Sequence, residues 1–306
     1  MSEIRVGVVP PSRFGTAPLE QRRSEMQMIA DAGIDHVFFA DHVSFHTGAG
    51  MDGLIQAAAL SQLHPDVGVY AGVYLLALRH PVPVARQLST IAEFAPGRLT
   101  FGVGVGGEDR HEMEVCGIDP STRGRRTDEC LQILRGLSTG EPFDFHGEFY
   151  DLDAAQIVPA ADPPIPITIG GRAEAALERT ARYGDGWIAA WSSPERVAAG
   201  VARIAERAAE LGRRVDFDHG LQLWCAVGDT ADGARPHVAT RMEAFYRLPF
   251  ERFERHVPYG PPAAIADFLR PFVDAGLRHF NVTTCAATVE ESIAGAGEVK
   301  RLLTGG

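Results

Sequence analysis

Residues 164–188 read PIPITIGGRAEAALERTARYGDGWI. The isoleucine-rich start is a buried strand, and Gly170-Gly171 end it. Residues 173–183 then mix alanine with charged residues at helical spacing, and Asp185-Gly186 turns the chain so that Trp187 enters a second strand. A strand, a helix and a strand in such close succession form a right-handed βαβ unit, which belongs in a parallel sheet.

The same alternation runs the length of the chain. Strand candidates fall at 5–9, 36–40, 67–76, 99–105, 165–169, 186–191, 221–227 and 279–284. Helical segments between them include 83–94, 122–137, 173–183, 194–211 and 262–275. Several open with Pro, Ser or Thr, as helix starts do. Eight strands in 306 residues favour an α/β fold of the (β/α)8 TIM-barrel type, which needs about 250 residues, over a doubly wound sheet.

The surplus of roughly 50 residues fits insertions into such a barrel. One is 138–164, after the fourth strand and its helix, with a hairpin turning at His146-Gly147. The other is 248–260 near the seventh helix, rich in Pro, Phe and Arg, a lid or an oligomer contact. ADAGIDHVFF at 30–39 and VDAGLRHFNV at 273–282 form a weak internal repeat. No linker or low-complexity tract divides the chain, so 1–306 reads as one domain.

Bulk properties exclude several classes. A net charge of −11 argues against nucleic acid as a partner. No apolar run approaches the ~20 residues of a membrane helix, and the start MSEIRVGVVPP is not a signal peptide. Cys116, Cys130, Cys225 and Cys285 are far apart with no CxxC, which predicts neither disulfides nor a zinc cluster and fits a reducing cytoplasm.

In a barrel of this kind, chemistry collects after the C-terminal ends of the strands. The second strand ends in ADHVSFHTGAG at 40–50, which puts Asp41 and His42 at the mouth. The plainer alternative has Asp41 capping a turn and His42 packing on a neighbouring strand. Gly72 interrupts the third strand, as at a bulge or a close backbone approach. The fourth ends FGVGVGGEDRHE, where Gly102, Gly104, Gly106 and Gly107 leave room for something flat, and Glu108 and Glu112 follow. Gly170, Gly171 and Arg172 open a helix, where free N–H groups attract an anion.

These pieces together resemble the bacterial luciferase-like flavin and deazaflavin oxidoreductases over nearly the whole chain. FFADHV at 38–43, LRHPVPVARQLSTIAEFAPGRLTFGVGVGG at 78–107, RGRRTDECLQILRGL at 123–137 and the opening segment carry the likeness. It implies a flavin-type ring stacked in the barrel mouth, held by Asp41, His42, Gly72, Val73, Tyr74, Gly104, Gly106 and Gly107. The phosphate would lie on Gly170, Gly171 and Arg172. A non-proline cis peptide commonly backs the ring, and Gly72-Val73 is the first choice for it, with Val73-Tyr74 next.

In the coenzyme F420 branch, a His after the second-strand Asp and a Glu in the fourth-strand loop often act on substrate. His42 and Glu108 match them as catalytic acid and base. An aromatic that sugar-phosphate oxidisers carry four residues after that His is His46 here, which argues against a sugar substrate. The implied cofactor is F420, with FMN as the alternative. The implied partners are a small organic substrate and a second subunit in a homodimer.

Two rival classes remain. His42 and His46 form H-x3-H, a metal-hydrolase spacing that aligns ligands only on a helix, and 44–50 is too rich in glycine for one. A barrel that binds cofactor without turnover would keep the same strand ends.

Overall fold

The computed structural model describes residues 3–11, 15–46, 48–215, 217 and 219–305. Eleven strands are β1 (Arg5–Val8), β2 (His36–Phe39), β3 (Gly68–Leu75), β4 (Leu99–Gly104), β5 (Phe143–His146), β6 (Asp151–Ala155), β7 (Ile167–Gly170), β8 (Gly186–Ala190), β9 (Gly220–Val227), β10 (Tyr259–Gly260) and β11 (His279–Cys285). Ten helices accompany them: α1 (Leu19–Asp31), α2 (Gly53–Ser61), α3 (Pro81–Phe94), α4 (Arg110–Val115), α5 (Arg123–Leu137), α6 (Glu174–Tyr183), α7 (Pro194–Glu210), α8 (Ala231–Tyr246), α9 (Pro262–Asp274) and α10 (Val289–Thr304).

Strands β1, β2, β3, β4, β7, β8, β9 and β11 pair in that order, all parallel, and β11 closes onto β1. This is the (β/α)8 barrel expected from the alternation. All eight strand candidates are barrel strands. The largest offset is at β7, which starts at Ile167 rather than Ile165, because Pro164 and Pro166 offer no N–H to a ladder.

The expected hairpin is β5–β6, antiparallel, and it follows α5. The 248–260 segment is anchored to the barrel body while leaving residues such as Leu248 exposed. Phe250 is buried, Arg235 and Tyr259 both hold Glu254 (2.7 and 2.8 Å), and the segment packs with α8 in a second apolar cluster. No helix among the described residues is long and apolar enough to cross a membrane.

Burial follows from the pattern. β2 (HVFF) is buried at every residue, as a strand flanked by helices on one side and barrel interior on the other must be. On α7 the buried residues are Val197, Gly200, Ile204 and Ala208, an i, i+3, i+7, i+11 stripe against the barrel wall.

The barrel interior is polar. His36 Nε2 meets Asn281 Oδ1 at 2.7 Å, and Tyr70 meets Thr168 at 2.7 Å. Glycines make the space: a Cβ on Gly7 would lie 2.1 Å from the His36 ring, and one on Gly102 would lie 2.9 Å from the Tyr70 ring. His36 and His279 occupy matching positions of the internal repeat, and their rings stand 6.0 Å apart. Neither ring nitrogen of His279 has a partner among the described residues. Burial therefore pushes the His279 pKa down to about 3, and burial likewise lowers His36.

Both histidines stay neutral to lower pH in the folded chain than in the unfolded one, where a histidine takes a proton near pH 6.5. The unfolded chain thus binds more protons below that pH, so stability falls as pH drops through 6.5 toward 3. The slope is about 1.4 kcal/mol per pH unit for each fully suppressed histidine. Urea midpoints measured between pH 7.5 and 5 are expected to fall for the native chain and to fall less steeply for His279→Phe. Equal slopes would show that His279 is not held neutral.

Candidate functional site

At the end of β2 the chain turns on Asp41, which is 1% exposed. Its carboxylate accepts from the backbone N–H of Gly53 (2.8 Å) and of Leu75 (2.9 Å), and from both Arg79 nitrogens (2.5 and 2.7 Å). Arg79 also reaches Asp52 at 3.1 Å, the residue that caps α2. The Asp41 side chain therefore points away from the mouth, contrary to the expectation that it faces a ligand. It ties the ends of β2 and β3 to the start of α2. Tyr74 is also turned inward, buried at 1% beneath the Arg79 guanidinium.

His42 comes next and faces the other way. Its Nδ1 lies 3.1 and 3.3 Å from the two oxygens of Glu112, and its ring stacks on Phe45 with centroids 4.1 Å apart. Glu112 is 3% exposed and also accepts from the N–H of Val43 (2.7 Å) and Ser44 (3.1 Å). An ionised carboxylate only accepts, so Nδ1 carries a proton, and in the neutral ring Nε2 presents its lone pair. This is the arrangement of a base oriented by a buried acid.

The carboxylate that touches His42 is thus Glu112, and Glu108 does not fill that place. Glu108 is exposed and sits beside Tyr246, where it adds to the burial that pushes the phenol up to about 12. The signal for Glu112 was in the sequence. Asp109 caps α4 by accepting from His111 N–H (3.0 Å), which places Glu112 in the first turn, facing back toward the second-strand loop. Asp109 also accepts from His46 N–H at 2.7 Å. Phe45 packs against both the His42 and His46 rings. The two imidazoles of H-x3-H each face a different carboxylate.

The Gly72-Val73 peptide is cis, at the first of the two expected positions. The β3–β4 register slips between Ala71 and Tyr74, so Val73 bulges toward the mouth. Its carbonyl accepts from Asp41 N–H (3.3 Å). A Cβ on Gly104 would lie 2.4 Å from its side chain, and one on Gly170 would lie 2.8 Å away. These two glycines make room for Val73, not directly for a ligand. Gly106 and Gly107 have φ of +68° and +115° and turn the chain out of β4. Val73 therefore joins the His42 corner to the glycine pair in a single floor.

Beyond that floor, Gly171 has φ +128°, and its carbonyl accepts from the Trp187 indole at 2.6 Å. No side chain caps the start of α6, and Arg172 is exposed beside it. From Phe45, stacked on His42, runs an aromatic wall that sequence reading missed: Phe45 meets Phe245 (6.0 Å), which meets Trp224 (6.0 Å), and Trp191 packs on Tyr246 (5.7 Å). The wall comes from four separate elements, the loop after β2, the end of β8, β9 and the last turn of α8, so no local pattern announces it.

The described family of luciferase-like monooxygenases matches residues 4–279. An uncharacterised protein of Mycobacterium tuberculosis is 39% identical over 53% of this chain and 55% of its own length. An F420-dependent glucose-6-phosphate dehydrogenase of Beutenbergia cavernae is 32% identical over 69% of this chain and 64% of its own. The chain thus spans 55% and 64% of the length of these two curated relatives. Among solved structures, an F420-dependent secondary alcohol dehydrogenase bound to an F420-acetone adduct superposes with TM-score 0.84, 18% identity and 99% coverage of both chains. The monooxygenase RslO1 of Streptomyces bottropensis superposes with TM-score 0.80 and 19% identity, covering 99% of this chain and 98% of its own. At these identities the likeness establishes the shared barrel.

The Asp41–Arg79 pair makes a direct demand on stability. Breaking one side of a buried ion pair typically costs about 3–5 kcal/mol. Asp41→Asn is expected to lower unfolding free energy in denaturant by about 3 kcal/mol. A loss within 1 kcal/mol would mean that the pair does not hold the strand ends.

Proposed function

The chain belongs to the luciferase-like monooxygenase family, and from that premise we propose an oxidoreductase that moves a hydride between the deazaflavin F420 and a small organic substrate. The observation that carries this reading is His42, held at Nδ1 by buried Glu112, with no partner for Nε2 among the described residues. A deazaflavin has carbon where a flavin has nitrogen, so it gives or takes a hydride and reacts poorly with oxygen.

The residues present fit such a group. Val73 offers a convex, partly exposed surface at the centre of the mouth, on which a flat ring can rest. Gly171, with no side chain and φ +128°, leaves the backbone open to close approach by a phosphate. The uncapped N–H groups at the start of α6 and the Arg172 guanidinium supply the donors. His42 Nε2 then takes the proton from a substrate hydroxyl, or returns it in the reverse direction, while Glu112 holds the ring in one tautomer and stabilises its charged form. The aromatic wall of Phe45, Phe245 and Trp224 keeps water from that face. Arg172, Gly170 and Gly171 orient the anionic end.

His42→Ala is expected to lower kcat by about 10²–10⁴-fold, the usual contribution of a positioned acid–base group, with F420 affinity unchanged by fluorescence titration. The substrate for that assay is whichever member of an alcohol and carbonyl panel the native chain turns over. Glu112→Gln is expected to lower kcat with little change in KM. Undiminished turnover in His42→Ala would remove the histidine from the chemistry. Tight binding of FMN with none of F420 would transfer the barrel to the flavin monooxygenase reading.

A further inference from the structure

Next to the glycine pair lies a second cavity, of about 350 Å³, between α6 and α7. Arg172, Glu174, Trp187, Ser192, Arg196 and Arg203 are among its lining residues. Trp187 forms a buried wall, and its indole is fixed by the 2.6 Å hydrogen bond to the Gly171 carbonyl. Gly200 makes room for that ring, since a Cβ there would stand 2.9 Å from it. The cavity shares Arg172 with the place where the cofactor phosphate would lie.

Its charge is unusual for this protein. The chain carries 29 basic and 40 acidic residues, yet three arginines and one glutamate line this cavity. Arg203 is neutralised by Glu174 at 3.0 Å and Glu206 at 2.9 Å. Neither Arg172 nor Arg196 has a carboxylate partner among the described residues, so both charges face the cavity side unpaired. The positive field of Arg172 extends to His256, which it helps to hold below its ordinary pKa after burial and Arg255. The volume is also too large for a phosphate group. At ~30 Å³ per water it corresponds to roughly twelve waters.

We propose that this cavity binds the anionic arm that F420 carries beyond its ribityl chain, a phosphodiester followed by carboxylates, with Arg196 and Arg172 as its counter-charges. FMN ends in a phosphomonoester and places no carboxylates there. Arg196 is thus a residue that selects between the two cofactors. The inference rests on the deazaflavin reading given above and names the part of the site that would enforce it.

The test is binding, followed by fluorescence or absorbance titration of native chain and Arg196→Gln with three probes. These are F420, the deazariboflavin chromophore without phosphate or arm, and FMN. Arg196 is exposed on α7, so the variant is expected to melt at the native temperature. Loss of one charge-assisted contact is expected to weaken F420 about tenfold and to leave deazariboflavin unchanged. Raising salt from 50 to 500 mM is expected to weaken F420 in the native chain and much less in the variant. If the native chain binds F420 but Arg196→Gln shifts F420 and deazariboflavin equally, or neither, the cavity assignment fails and the hydride reading stands. If the native chain binds FMN and neither deazaflavin, both fail together.

Discussion

A carboxylate with no solvent contact is a liability unless every lone pair is used. At Asp41 the whole of it is used: two backbone N–H groups and a bidentate guanidinium surround it. A charge buried this way pays for its desolvation only in one geometry, and that geometry fixes three chain segments at once. The Leu75 bond sets where β3 ends, the Gly53 bond sets where α2 begins, and the chain leaving Asp41 has a single direction. His42 faces the mouth because Asp41 cannot.

Much of the mouth follows from the end of β3. Two groups on either side of Tyr74, Val73 O and Leu75 N–H, are held by the backbone N–H and the side chain of Asp41. Between Ala71 and Tyr74 the strand leaves register with β4, and the Val73 side chain fills the gap that Gly104 and Gly170 leave open. An alanine at either glycine would press on it. The glycines of β4 and β7 are thus explained by one neighbouring side chain, which in turn forms the floor of the cleft. The loops are bound to each other by the same logic: Asp109 and Glu112, three residues apart on the β4 side, hold the backbone of His46, Val43 and Ser44 on the β2 side.

The fold was legible because parallel barrel strands are short, apolar and separated by amphipathic helices, and that pattern survives without any knowledge of contacts. The cis peptide was legible through the resemblance and Gly72. What sequence could not order was direction. Asp41 and His42 are adjacent, and a strand end alone does not say which of the two faces in. Glu108 and Glu112 lie in one loop, and only the capping role of Asp109 decides that Glu112 turns back toward His42. The polar barrel interior was equally hidden, since His36, Tyr70, Thr168 and Asn281 sit in runs that otherwise read as core. Their partners are 98 to 245 residues apart.

The cleft that results is unequal at its two ends. Around His42 the charges are internal pairs, Glu112 spent on His42 and two amides, and the remaining surface is aromatic. Around Arg172 and Arg196 the charges are unspent. In a protein with a net charge of −11, two arginines without carboxylate partners among the described residues stand out, and such local fields can raise the encounter rate of an anion and orient it. On the function proposed above, a ligand that is flat at one end and anionic at the other would lie with its plane on Val73 and its charge at α6. Orientation is then settled before any contact with the substrate, and His42 needs to discriminate nothing beyond the proton it holds.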